Sequence, residues 1–376
     1  MSLRARPARE WLAAVCGLLL LAALLLPLGS AQQRLLSYLF AFVFFTGLSV
    51  GSLALLMAHI LTGGAWGELL RPFLLAAART VPLQALLAVP ILVGLPVLYP
   101  WARADAGLHD ALLRAQSWYL APTFFVVRTI AYFALWTLFL WLIGRHRSES
   151  SAERSLAPAA ASGLIVFALS SLLAATDWLM SLLPHWHSST FGMLVATGWM
   201  LAAAALAILY AAGRKPIAAQ SPQLLADLGN LLLMFVLAWA YLAYMQYLTM
   251  WIADLPAETS WYIPRTLTSW RAVAAFLIAF QFAVPFAMLL SRRTKRRASW
   301  LAGIAALLLI AHVADAFWLT APTLRPSGFD ARGSDLLALL GMGALWWALY
   351  SGQLHAMQRA LPGERASIAT LENAHG

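Results

Sequence analysis

Ten stretches of this chain stay apolar for long enough to cross a bilayer, and that pattern constrains the fold more than any single motif. They are Trp11–Leu28, Leu35–Ile60, Pro82–Leu98, Pro122–Ile143, Ser162–Leu179, Phe191–Ala212, Leu228–Trp251, Ala272–Leu290, Trp300–Leu319 and Leu336–Leu354. A spanning helix needs about 17–25 such residues, and an open-edged strand leaves its backbone unsatisfied in lipid. The expected fold is therefore an all-α integral membrane protein of about ten transmembrane helices, one polytopic domain over residues 1–376. Composition agrees: 62% of the 376 residues are hydrophobic and 11% charged, a balance that requires lipid as part of the solvent.

Cys16 is the only cysteine, which excludes a disulfide framework, a CxxC redox pair and cysteine-held iron–sulfur clusters within one chain. The net charge of +10 invites a nucleic-acid reading, but the placement of the charge argues against one. With the N-terminus inside, the cytoplasmic segments hold 17 of the 25 basic residues and seven of the 15 acids. That leaves +10 inside and a balance of eight against eight outside. Such asymmetry is an orientation signal. It predicts a multi-pass membrane protein with both termini cytoplasmic. The RRTKRR cluster at Arg292–Arg297 reads as a cytoplasmic stop beside anionic lipid heads. Arg4, Arg6 and Arg9 before the first run, and LGSAQQ after it, also fit a cleaved signal peptide. Either way the second helix starts from the same side. The segment Gly144–Ala161 and the tail after Arg359 read as polar and mobile.

Ionisable groups inside a bilayer are costly and are functional candidates by default. Arg128 lies about 9 Å into the fourth run at the usual helical rise. His312 and Asp315 are three residues apart on the ninth, hence on one face. Asp177 ends the fifth, while Asp254 and Glu258 follow the seventh. These six are the candidates for a polar pocket or proton path. The structural alternative is that Arg128 snorkels or pairs with Asp315 or Asp177. A direct or His312-mediated link from Arg128 to Asp315 is the expectation taken forward. His185, His187, Trp178 and Trp186 occupy the stretch TDWLMSLLPHWHSSTFG, Thr176–Gly192, where two helices leave the membrane. With His59, near the cytoplasmic end of the second run, they are candidates for a partner contact or the border of a quinone site. Both tryptophans suit the headgroup region.

Several chemistries are argued down. Only His312 among the histidines lies well inside a run, so facing haem-ligand pairs are missing. His185 and His187 have no third ligand nearby, and no metal site is expected. GGAWG at Gly63–Gly67 lacks the Lys-Ser/Thr of a phosphate cradle.

The same stretches carry a family resemblance. Thr176–Gly192 resembles the DWxMSLxPHWxSTxFG signature of the membrane subunits of alternative complex III, a quinol:cytochrome c oxidoreductase. HILTGGAWG (His59–Gly67), GLPVLYPWA (Gly94–Ala102), FFVVRTIAYFALW (Phe124–Trp136) and the stretch Leu228–Arg265 resemble the shorter of its two related subunits, the ActF or quinone-binding subunit 2 family. Together they cover about residues 35–290. The resemblance implies the fold of polysulfide-reductase (NrfD/PsrC-like) membrane subunits, with two four-helix bundles and two extra helices. It implies a respiratory complex in which partners, a multihaem cytochrome c, an iron–sulfur subunit and a second related membrane subunit, hold haem c and iron–sulfur clusters. This chain would hold no cofactor alone, with quinone or quinol as a contact. Leu183 departs from the family, which usually carries an acid before that Pro, so a proton relay through this loop is disfavoured.

The expected function is a membrane subunit giving scaffold, quinone contact and a proton path, not catalytic alone. The rival is a secondary transporter built around Arg128, His312 and Asp315, with Pro90 and Pro285 as the well-centred helix breakers such proteins use.

Overall fold

The computed structural model describes residues 5–26, 29–144, 150–212 and 222–359. Among them there is helix and loop but no strand. In chain order the helices are α1 (Ala5–Ala23), α2 (Ala31–Thr62), α3 (Ala65–Ala78), α4 (Val81–Leu87), α5 (Val89–Val93), α6 (Leu95–Leu98), α7 (Ala106–His109), α8 (Ala111–Ala115), α9 (Pro122–Gly144), α10 (Ser150–Trp178), α11 (Phe191–Ala212), α12 (Pro222–Ala253), α13 (Pro256–Thr259), α14 (Ile263–Leu267), α15 (Arg271–Leu277), α16 (Val284–Leu290), α17 (Arg292–Lys295), α18 (Ala298–Leu324) and α19 (Gly333–Arg359). Eight spans among the described residues are long and apolar enough to cross a membrane. The terminal helices α1 and α19 are not among these eight.

The centre of the molecule is α2. Its start is fixed by a reciprocal cap, with Ser30 Oγ accepting from the Gln33 N–H and Gln33 Oε1 accepting from the Ser30 N–H. It stops at Gly63, whose φ of 66° suits a residue without a Cβ. Its apolar window is buried on every side, against α3, α10, α11, α18 and α19. Gly47 and Gly51 are where α11 approaches closely. A Cβ on Gly47 would strike the Trp199 indole, and one on Gly51 the Trp199 carbonyl. Small residues thus set how near α11 comes.

The third crossing differs from the sequence expectation. The sequence run is Pro82–Leu98, whereas the apolar helical stretch is Ala65–Val93 and takes in the basic residues Arg71 and Arg79. Arg71 and Arg79 had hidden it. Pro82, Pro90 and Pro96 then open α4, α5 and α6, because each lacks the N–H that would continue the preceding turn. Another break falls between α15 and α16, where residues Ile278–Ala283 form a π-helix. Pro285 cannot donate to the Gln281 carbonyl four residues earlier, so the ladder shifts register there.

The fifth crossing also begins earlier than expected. Residues from Ser150 are helical, so the second half of the segment read as a mobile loop belongs to α10. Residues 145–149 of that segment, the tail after Arg359, and Arg4, Arg214 and Lys215 lie outside the described residues.

Candidate functional site

Arg128 rises from the start of α9 and reaches the carboxylate at the end of α10. Its Nε donates to Asp177 Oδ2 and its terminal nitrogen to Asp177 Oδ1, each at 2.8 Å, and its other nitrogen to the Tyr119 carbonyl at 3.0 Å. The Tyr132 hydroxyl adds a third donor to Asp177 at 2.7 Å. Arg128 is 7% exposed and Asp177 not at all. A bidentate guanidinium–carboxylate pair is the strongest ordinary hydrogen-bonded unit, and burial makes loss of either half expensive. The guanidinium also lies over the Tyr119 ring at 3.9 Å and the Phe124 ring at 4.3 Å. Tyr119 precedes α9, outside the spans, and burial, followed by the Asp177 charge, holds its hydroxyl above the usual phenol range.

This cluster corrects the expected link between Arg128 and Asp315. Asp315 instead faces His312, with 3.5 Å between its Oδ2 and His312 Nδ1. That is long for a formed hydrogen bond, and both imidazole nitrogens lack a partner. The pair is buried on α18 against Phe44 of α2 and Gly198 of α11, where a Cβ would come 3.0 Å from His312 Cε1. The six polar candidates therefore divide. Arg128 and Asp177 form one centre, His312 and Asp315 another, and Asp254 and Glu258 sit in the α12–α14 connection, where Asp254 is exposed with a φ of 46°.

The tryptophans need correction as well. Trp178 is 1% exposed and packs among Phe42, Tyr132, Phe133, Trp136 and Trp199, with its Nε1 donating to Thr129 Oγ1. Trp186, also 1% exposed, stacks on Trp261 at 5.2 Å and 19°. Both side chains are packed inside the protein by aromatic partners on several sides rather than presented to lipid headgroups. His59 is buried where α2 turns into α3. Its Nε2 lies 3.1 Å from the Gly64 carbonyl, and its ring fills the place of a Cβ on Gly67.

The two exposed histidines do come together around a common feature. His185 Nε2 meets Asp110 Oδ2 at 2.8 Å, and His187 Nε2 meets the Gln116 amide nitrogen at 3.1 Å. Both contacts bind the α8 loop to the loop after α10. Beneath them is a cavity of about 200 Å³, lined by Gln116, Tyr119, Thr176, Met180, Trp186 and His187 among others. It adjoins the Arg128–Asp177 centre through Tyr119. The sequence reading missed Gln116, Tyr119 and Tyr132. Tyr132 had a legible signal, one helical turn after Arg128, but Gln116 and Tyr119 lie in a loop with none. Among the described residues no group of three or more His, Cys, Asp or Glu side chains is arranged for a metal ion. No protein-family model matches the chain, and no curated protein matches it in sequence.

Proposed function

We propose that the chain is an integral membrane subunit of a respiratory quinol:cytochrome c oxidoreductase of the alternative complex III kind. One observation supports this above others. Two stretches that separately resemble that family, Phe124–Trp136 and Thr176–Gly192, converge on one buried carboxylate, Asp177, held by Arg128 and Tyr132. The subunit gives scaffold and a quinol contact at the neighbouring cavity, and the His312–Asp315 pair is its candidate proton-handling centre. Buried ionisable groups without full hydrogen bonding are the usual mark of such a role in a bilayer. On this reading α1 and α19 complete ten crossings, both termini are cytoplasmic, and the Asp110–His185 end faces outward. Partner subunits hold the haem c and iron–sulfur clusters.

Purification from native membranes tests the assignment. The tagged chain is expected to bring with it a multihaem cytochrome c, an iron–sulfur protein and a second related membrane subunit. The chain purified alone is expected to show no haem Soret band, no bound iron and no quinol oxidation. Recovery without redox partners, together with solute uptake by the chain alone in proteoliposomes, supports the transporter reading instead. The broken helices at Pro90 and at the π-helix before Pro285 are the features that favour that second reading.

A further inference from the structure

Of the ten tyrosines in the chain, the three exposed ones, Tyr241, Tyr244 and Tyr247, all stand on α12. The other seven are buried or half-buried in the fold. Depth sets the first two apart. Polar groups bracket the apolar part of α12, with Asn230 bonded to Lys295 at one end and Asp254 just past the other. About 36 Å of helix lies between them at the usual rise, against roughly 30 Å of hydrocarbon in a bilayer. Tyr241 and Tyr244 therefore lie near the midplane, about 12 Å or more from either headgroup layer. A phenol hydroxyl reaches roughly half that distance from its own Cα, so neither one snorkels out.

Neither hydroxyl has a hydrogen-bond partner among the described residues. Thr249, exposed on the same helix, shows the contrast. Its Oγ1 donates back to its own helix, 3.0 Å from the Met245 and Gln246 carbonyls, a return that a tyrosine ring is too long to make. Acyl chains offer these phenols nothing, and an unpaired hydroxyl in hydrocarbon is costly. The same face has the spacing of a helix-pairing seam. Met234, Leu237, Tyr241, Tyr244, Leu248 and Trp251 follow one another by alternate steps of three and four residues, the seven-residue repeat of a left-handed helix pair. Five of the six are exposed and Leu248 is half-buried. Ala240, half-buried on the arc between Tyr244 and Tyr247, leaves a hollow in which a facing ring fits.

We propose that this face of α12 is where a second copy of the chain docks within the membrane. Two copies inserted in the same direction are related by a two-fold axis along the membrane normal, so each seam residue meets its own counterpart at equal depth. Tyr241 and Tyr244 then each face an identical phenol. A phenol both donates and accepts, so each pair of like hydroxyls closes a hydrogen bond with no other chemistry required. The face is self-complementary, which a lipid neighbour cannot match. This surface does not depend on the respiratory reading of the chain.

The test uses the full chain in its native membranes. Cys16 is the only cysteine, so Cys16→Ala gives a background in which one new thiol reports on one position. Leu237→Cys and Leu248→Cys, oxidised with copper phenanthroline, are each expected to give a disulfide-linked species of twice the chain's mass. Two differently tagged copies expressed together identify both halves of that species. Ile130→Cys on α9 and Leu169→Cys on α10, exposed on other helices, are expected to stay single. Tyr241→Phe with Tyr244→Phe removes both hydroxyls and keeps the rings. In proteoliposomes of graded lipid content this pair is expected to weaken self-association about five- to tenfold, with no fall in the melting temperature of the chain. Absence of the doubled species, equal yields at Ile130→Cys or Leu169→Cys, or self-association unchanged by the two phenylalanines each overturn the proposal.

Discussion

Arg128 and Asp177, 49 residues apart in sequence, are joined by two parallel hydrogen bonds of 2.8 Å at a buried site. The pair fastens the start of α9 to the end of α10 and forms one wall of the region around Tyr119. Removing one partner of such a pair typically costs about 3–5 kcal/mol, since the other charge stays buried without compensation. Arg128→Met is therefore expected to destabilise the chain by about that amount, and Asp177→Leu added to it to restore much of the loss. Arg128→Met combined with Asp315→Leu should be additive instead, because Asp315 faces His312. Thermal denaturation in detergent of the three single variants and the two double variants separates these outcomes. Additivity in the first double variant would show that the two charges do not interact.

The contact of α2 with α11 makes a second prediction. Gly51→Ala places a methyl against the Trp199 backbone carbonyl, which has no rotamer by which to yield. Overpacking of this kind costs about 1–3 kcal/mol. Gly303→Ala on α18, where a Cβ meets nothing, is the matched control and should be neutral or stabilise by at most about 1 kcal/mol. Equal melting temperatures for the two variants would refute the close approach.

The loop over the cavity should respond to acid. The Asp110 carboxyl is held below its ordinary range, first by the Leu113 N–H, against some desolvation, and further by His185 and the Leu112 N–H. A group depressed in the folded state stabilises it above the ordinary carboxylate pKa of about 3.9, and that contribution is lost as pH falls through the folded value. Protection of the amides of residues 111–117, taken relative to the intrinsic exchange rate at each pH, is expected to be high at pH 6 and to fall below about pH 4. Asp110→Asn should exchange faster at pH 6 and lose most of the pH dependence. An acid response unchanged in Asp110→Asn would remove this residue as its origin.

Orientation is testable without purification. A reporter fused after Arg297 is expected to be active in its cytoplasmic form, and one inserted within Ala257–Tyr262 in its periplasmic form. The reverse pattern would exchange the inner and outer assignments of the Asp110–His185 end.

The apolar runs made the helical class legible, because a run of that length has one good solution in lipid. Features that depend on who packs against whom were not legible. Arg71, Arg79 and four prolines made the third crossing look like a loop followed by a short span, yet the helix begins at Ala65. Trp178 and Trp186 stand at the ends of runs, where composition suggests headgroups, but rings from distant segments bury them. The partner of Arg128 was a choice between two carboxylates that spacing does not decide. Gln116 carried no signal at all, because its significance comes from His187 on one side and the cavity on the other.

The pairing of α1 with α19 bears on how the chain is made. Gly17 lies so close to the Gly341 carbonyl that a Cβ there would strike backbone, and Glu10 meets His355 at 2.7 Å near the same seam. During synthesis α1 emerges before every other described helix and its partner after all of them. Its matching face therefore stays without that partner until translation has passed α18, and a ribosome that stalls before α19 releases a chain whose first helix is still bare. The seam thus joins the packed helix pair with the widest sequence separation among the described residues, a contact whose formation waits on the insertion of the helices between.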